Sequence, residues 1–198
     1  MALLNVARAS SLVAKRRGPV AGLLLAAAVS ASPAAGQFLT QAEALSLAFD
    51  GARIERRTAY LEDSQLAAAR ELAGPGVAVE TGIVTYYLAF RNGATVGVAY
   101  FDAHRVRTME EVLMITVDRS GTVGRIETVA FREPPEYRAP EGWLDLFEAR
   151  SAAGEATVAD VPNIAGATLT ADAVKQAARR ALALHRVIAP FRDPGEEG

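Results

Sequence analysis

Thr85-Tyr86-Tyr87-Leu88-Ala89-Phe90, then Arg91-Asn92-Gly93-Ala94, then Thr95 to Phe101, is the stretch that decides the fold. Two runs rich in β-branched and aromatic residues flank an Asn-Gly pair, the strongest short signal for a β-hairpin. A second hairpin follows at once: Val112 to Val117, the turn Asp118-Arg119-Ser120-Gly121, and Val123 to Phe131. The centre of the chain therefore reads as an antiparallel meander of four or more strands.

Working outward, Thr40 and Glu43 form a capping box that opens a short helix through about Phe49. Arg53 to Leu61 alternates loosely as a strand. Asp63-Ser64 caps a second helix through about Ala73, which Gly74-Pro75-Gly76 stops. Beyond the meander, Glu133-Pro134-Pro135-Glu136-Tyr137 is a loop barred from the sheet, because two prolines remove two donors. Trp143 to Phe147 forms a short helix, and a polar connection through Asp160 leads to Ile164. A long helix then runs from about Ala171 to Ile188, and Pro190 ends it. Val174, Ala178, Ala181, His185 and Ile188 recur at four- and three-residue steps, so that face packs on the sheet. The fold class is α+β: an antiparallel meander against a long C-terminal helix, with short N-terminal helices.

At 198 residues the chain is one domain by length, residues 37–198, behind a leader at 1–36. Lys15-Arg16-Arg17 precedes an apolar run from Gly18 to Ala31 and a small-residue exit at Ser32-Pro33-Ala34-Ala35-Gly36, the build of a secretory signal. The run is short of the roughly 20 residues a membrane span needs. The expected location is outside the cytoplasmic membrane, periplasmic or on that membrane's outer face, with an uncleaved N-terminal anchor as the alternative to cleavage after Gly36. The leader holds four of the 21 Lys and Arg residues and no acid, so the rest carries 17 basic against 23 acidic residues and a charge of −6. An acidic body argues against a nucleic-acid surface. With no cysteine, thiol chemistry, disulfides and cysteine-held iron–sulfur clusters are excluded; with two histidines, no zinc site or other metal is expected.

The candidate working feature is Ala165-Gly166-Ala167-Thr168-Leu169-Thr170. Gly166 permits a backbone angle that other residues resist, and the two threonine hydroxyls stand where a helix begins and its unpaired N–H groups point outward. Such a turn suits a phosphate. On the residues alone, the plainer reading is that Thr170 is an N-cap, with Asp172 supporting the helix dipole.

The order of a strand with an Asp-x-x-Gly turn, an acid-Pro loop, a Trp-x-x-x-Phe helix and a Gly-Ala-Thr turn opening the last helix resembles the FMN-binding domain family over roughly residues 80–188. Its members include the C subunit of the sodium-translocating NADH:quinone oxidoreductase, the G subunit of the Rnf complex, and small stand-alone exported proteins. The resemblance implies FMN held through a phosphoester to Thr168, attached by a flavin transferase, with Ala165, Gly166, Ala167, Leu169 and Thr170 shaping the turn. It also implies Glu133 and Tyr137 near the flavin ring and a membrane electron-transfer complex as partner. Ala165 stands where the family has Ser or Thr, and Pro162 where it has Asp, with Asp160 two residues back.

Other residues have two readings each. His104, in a polar and basic cluster, contacts the flavin or bonds locally at a strand exit. His185 lies on the packed helix face and reads as structural; Trp143 reads as core; Tyr137 stacks near the flavin or covers the proline loop. Arg53, Arg56 and Arg57 read as a solvated face. The function expected is electron transfer by an exported flavin carrier, more a subunit of an oxidoreductase system than a stand-alone enzyme. The alternative is a flavin-free binding module of the same fold.

Overall fold

The computed structural model describes residues 38–191. The leader read at residues 1–36 lies outside them. In chain order the elements are α1 (Gln41–Ala48), β1 (Arg53–Tyr60), α2 (Asp63–Ala73), β2 (Ile83–Arg91), β3 (Ala94–Arg105), β4 (Glu110–Val117) and β5 (Val123–Phe131). A 3-10 turn (Pro135–Tyr137), α3 (Glu141–Leu144) and the long helix α4 (Thr168–Ile188) follow. The five strands form one sheet in sequence order, every neighbour antiparallel. The expected α+β architecture is what folds.

Local chemistry explains most boundaries. Asn92 and Gly93 both have positive φ, 53° and 80°, which turns the β2–β3 hairpin in the sense that strand twist favours. Asp118 closes the β4–β5 turn, its Oδ1 accepting from the Ser120 and Thr122 backbone N–H groups. Thr40 and Glu43 make the capping box of α1 as read. Two caps differ from the sequence reading. Glu62, not Asp63, caps α2, and Gln65 Oε1 accepts from the Glu62 N–H. The last helix begins at Thr168, three residues before Ala171, with Ala167 as its N-cap. Thr170 is thus inside the first turn rather than at the cap, because its hydroxyl has a tertiary partner, described below.

Side-chain alternation divides the core between the two faces of the sheet. Leu88, Val98, Tyr100, Leu113, Ile115 and Val117 face α4, where Val174, Ala177, Ala178 and Ala181 meet them. Tyr87, Ala99, Met114 and Val129 face the other way and pack on Ala44 and Leu45 of α1. Small residues of α2, Ala69 and Ala73, close on Ala183 at the back of α4. Leu113 and Ile115 are fully buried, so truncating either to alanine would cost about 2–5 kcal/mol.

One departure from sheet regularity positions the site. The β2–β3 ladder ends at Tyr86↔Tyr100, while β1–β2 pairing continues to Ile83 and β3–β4 pairing continues to Arg105. Ile83–Thr85 and Phe101–Arg105 therefore diverge. A cavity of about 880 Å³ opens between them, lined by residues of both sheet faces.

Candidate functional site at the start of the long helix

Three segments distant in sequence meet at the first turn of α4. The Thr170 hydroxyl, on a residue 1% exposed, donates to the Tyr137 carbonyl oxygen at 2.6 Å. Tyr137 carries the Arg107 guanidinium over its ring, 4.5 Å from the centroid. Glu133 Oε1 accepts from the backbone N–H groups of Arg107, Thr108 and Met109 at 3.2, 2.6 and 2.8 Å, and from the Thr108 hydroxyl. The N–H groups of Thr108 and Met109 hold the Glu133 carboxyl below the usual range. The proline loop is thus clamped between the β3–β4 turn and the start of α4. Glu133 spends one oxygen on that clamp, and Tyr137 is half-buried beneath Arg107.

At the turn itself Gly166 has φ of +81° with open space where a Cβ would lie, so glycine serves conformation there and not clearance. Ala167 is buried; Ala165, Thr168 and Leu169 are exposed. Thr168 occupies the first helical position, and its hydroxyl makes no hydrogen bond among the described residues. The first-turn N–H groups have no acceptor within the helix, so a bound anion would find donors and the positive end of the helix dipole beside the Thr168 oxygen. The two threonines have separate positions: Thr168 open to solvent, Thr170 committed to Tyr137.

A groove of about 300 Å³ runs along α4 from Leu169 past Asp172, Ala173 and Gln176 to Arg180, with His104, Arg105 and Val106 as its other wall. His104, Arg105 and Arg180 also line the cavity where β2 leaves β3. Their charges are organised as a network. Arg180 Nε and Nη2 donate to Asp102 Oδ2 and Oδ1 at 2.6 and 2.9 Å. His104 Nδ1 lies 2.9 Å from Asp102 Oδ1, and Nε2 lies 3.0 Å from Glu111 Oε2. A carboxylate only accepts, so His104 donates from both nitrogens and is an imidazolium. Burial opposes that charge, but the two carboxylates outweigh it and raise His104 to about 9. Burial likewise opposes the charge on Asp102, and bonds from His104 and Arg180 overcome it, holding Asp102 at about 2.

Residues 110–183 match the model of the FMN-binding domain, from the first residue of β4 into α4. That segment is similar to the FMN-binding domain and supports flavin binding. The matched stretch contains the proline loop, the Trp143 segment and the Gly-Ala-Thr turn, the features on which the resemblance was read. No curated protein and no solved structure gives a significant match. The residues fit the flavin phosphate: an exposed hydroxyl, free helix-start donors and a left-handed glycine stand together, and a groove of ligand-binding size leads away from them.

Gly166, Ala167, Thr168, Leu169 and Thr170 form one turn, and Tyr137 and Glu133 are joined to it through Thr170 and Arg107. His104 is the penultimate residue of β3, bonded locally to Asp102, and it also forms part of the groove wall. His185 is buried on the packed face, within 3.3 Å of the Tyr100 hydroxyl. Trp143 donates from Nε1 to the Pro162 carbonyl oxygen and stacks edge-on with Phe147. Sequence reasoning missed Asp102, Glu111, Arg107 and Arg180. The period-two set Tyr100, Asp102, His104 could have revealed Asp102, since alternate residues of a strand share a face.

Proposed function

We propose that this is an exported electron-transfer flavoprotein whose FMN is attached through its phosphate to Thr168. The observation that carries the reading is the exposed Thr168 hydroxyl, without a hydrogen bond among the described residues, at the first position of α4, following the left-handed Gly166, inside the segment that matches the FMN-binding domain. Thr170, the other hydroxyl of the turn, is bound to Tyr137 and buried.

FMN supplies one- and two-electron chemistry when bound. The chain's part is to hold and surround it. First-turn N–H groups and the dipole of α4 favour the phosphate charge. The exposed Leu169 side chain and the walls at His104, Val106 and Ala173 shape the groove for a ring. Covalent attachment would retain the cofactor outside the cytoplasm, where no pool of FMN replaces a lost one. The partners that follow are a flavin transferase for maturation and a membrane redox complex as electron donor or acceptor.

The test is expression with the leader in a host that has a flavin transferase. A yellow protein that fluoresces after denaturing electrophoresis is expected, with the signal lost in Thr168→Ala and kept in Thr170→Ser. Retained attachment in Thr168→Ala rejects the assignment of the bond. Colour lost on denaturation leaves non-covalent FMN, and a colourless product favours the flavin-free module.

A further inference from the structure

Two carboxylates of the network offer four oxygens, and three of them are bonded. Both oxygens of Asp102 are taken by Arg180 and His104, and Glu111 Oε2 is taken by His104. Glu111 Oε1 is buried and has no hydrogen-bond partner among the described residues, on a side chain with 0% exposure. A wholly buried carboxylate oxygen without a donor is costly and calls for a reason. Thr128 Oγ1 shares that condition. Thr128 lies opposite Leu113, two residues along β4 from Glu111, so both groups face α4 from adjacent strands.

Glu111 is joined to the solvent-facing part of the molecule through its cross-strand partner. His104 stands directly opposite it in the β3–β4 ladder and forms a wall of the groove that starts at Leu169. Around Glu111 the charges are His104 and Asp102 from β3 and Arg180 from α4, with Glu80 acting on Arg180 and Asp172 at the groove. From β5 the same face presents Phe131 and Thr128, both uncharged, while Glu127 pairs with Met114 on the opposite face. Among the described residues, both oxygens of Asp102 and Oε2 of Glu111 already accept from Arg180 or His104. Of the four carboxylate oxygens, Glu111 Oε1 is the one that no donor holds among the described residues.

We propose that Glu111 is a redox-linked protonation site, taking up one proton at Oε1 when electrons are placed on FMN held at the start of α4. This rests on the flavin reading above. In the step one O–H bond forms and none in the protein breaks. The proton comes from water reaching the cavity at Asp102 and His104. The electrons come from an external one-electron reductant and stay on FMN. Negative charge on a flavin in the groove that His104 walls is offset by a proton taken up behind that wall, on the carboxylate bonded to His104, which is the physical coupling.

The experiment is reduction of the FMN-loaded protein with dithionite, followed by infrared difference spectroscopy and by potentiometry between pH 6 and 8. Reduction is expected to bring up the carbonyl stretch of a protonated carboxylic acid, absent in Glu111→Gln. The midpoint potential of the wild type is expected to change with pH more steeply than that of Glu111→Gln, by about 30 mV per pH unit for one extra proton per two electrons. Loaded protein that shows no new carboxylic-acid band overturns the proposal, and the infrared reading on the wild type stands even if the variant does not fold. Equal slopes in wild type and a folded variant also overturn it. A wild type that binds no FMN removes instead the reading on which the proposal depends.

Discussion

Thr170 and Tyr137 are 33 residues apart in sequence, and the hydroxyl of one donates to the carbonyl of the other at 2.6 Å. That bond fixes the first turn of α4 to the proline loop, and Arg107 stacked on Tyr137 carries the connection to the β3–β4 turn. Replacing Thr170 with valine keeps the shape and removes the donor. The expected cost is about 1–3 kcal/mol, the range for leaving a buried group unsatisfied, read as a lower urea midpoint. Thr168→Ala, at an exposed position, should stay within about 0.5 kcal/mol of wild type. Equal losses in the two variants would contradict the division of roles between the threonines.

Gly166 carries φ of +81° with open space where a Cβ would lie. Gly166→Ala should therefore destabilise by about 1–2 kcal/mol through backbone strain alone. Because the strain falls at the turn before Thr168, flavin content should fall with it. A variant as stable and as yellow as wild type would show that the turn does not depend on the left-handed angle.

His104 titrates at about 9 in the fold, above its value in an unfolded chain near 6.5. Its raised pKa contributes stability that is fully present below about pH 6.5 and is lost as pH rises through 9. The stability gap between wild type and His104→Gln should accordingly be widest near pH 6 and shrink by pH 9.5. Chemical denaturation at three pH values measures it, and a gap that grows with pH would be the wrong sign.

His185 runs the other way. Burial lowers it to about 4, outweighing Asp118, while its Nδ1 pairs with the Tyr100 hydroxyl. The neutral ring is favoured, so its contribution is present above about pH 6.5 and is lost as pH falls towards 4. His185→Phe should be less stable than wild type at pH 7, with the Tyr100 hydroxyl unpaired, yet lose less on acidification from pH 7 to 4.5. Thermal melts across that range decide it.

Glu133 organises the β3–β4 turn by accepting three backbone N–H groups. In Glu133→Ala the amides of Thr108 and Met109 should exchange with solvent faster, and amides within β4 should keep wild-type protection. Unchanged exchange at both turn amides would mean that water replaces the carboxylate without consequence.

Several features of the protein are written locally and were legible as such. Asn92-Gly93 and Asp118-x-x-Gly121 specify two tight turns through φ preference and side-chain bonding to the nearby backbone, so the meander follows from the chain itself. The period of Val174, Ala178, Ala181 and His185 determines which face of α4 is buried, and the capping box of α1 is a three-residue signal. The Gly-Ala-Thr turn was visible for the same reason. Other features belong to tertiary structure alone. Whether Thr168 or Thr170 is open to solvent depended on a carbonyl 33 residues away. Glu133 became a clamp because the 107–109 backbone turned its N–H groups towards it, which no residue type announces. The Asp102–His104–Glu111–Arg180 network needs a strand register and a helix 78 residues further on. Sequence determines what short range can enforce, through φ preference and periodicity. Which hydroxyl is free and which carboxylates are paired are decided by packing, because burial and charge are properties of neighbours brought together by the whole fold.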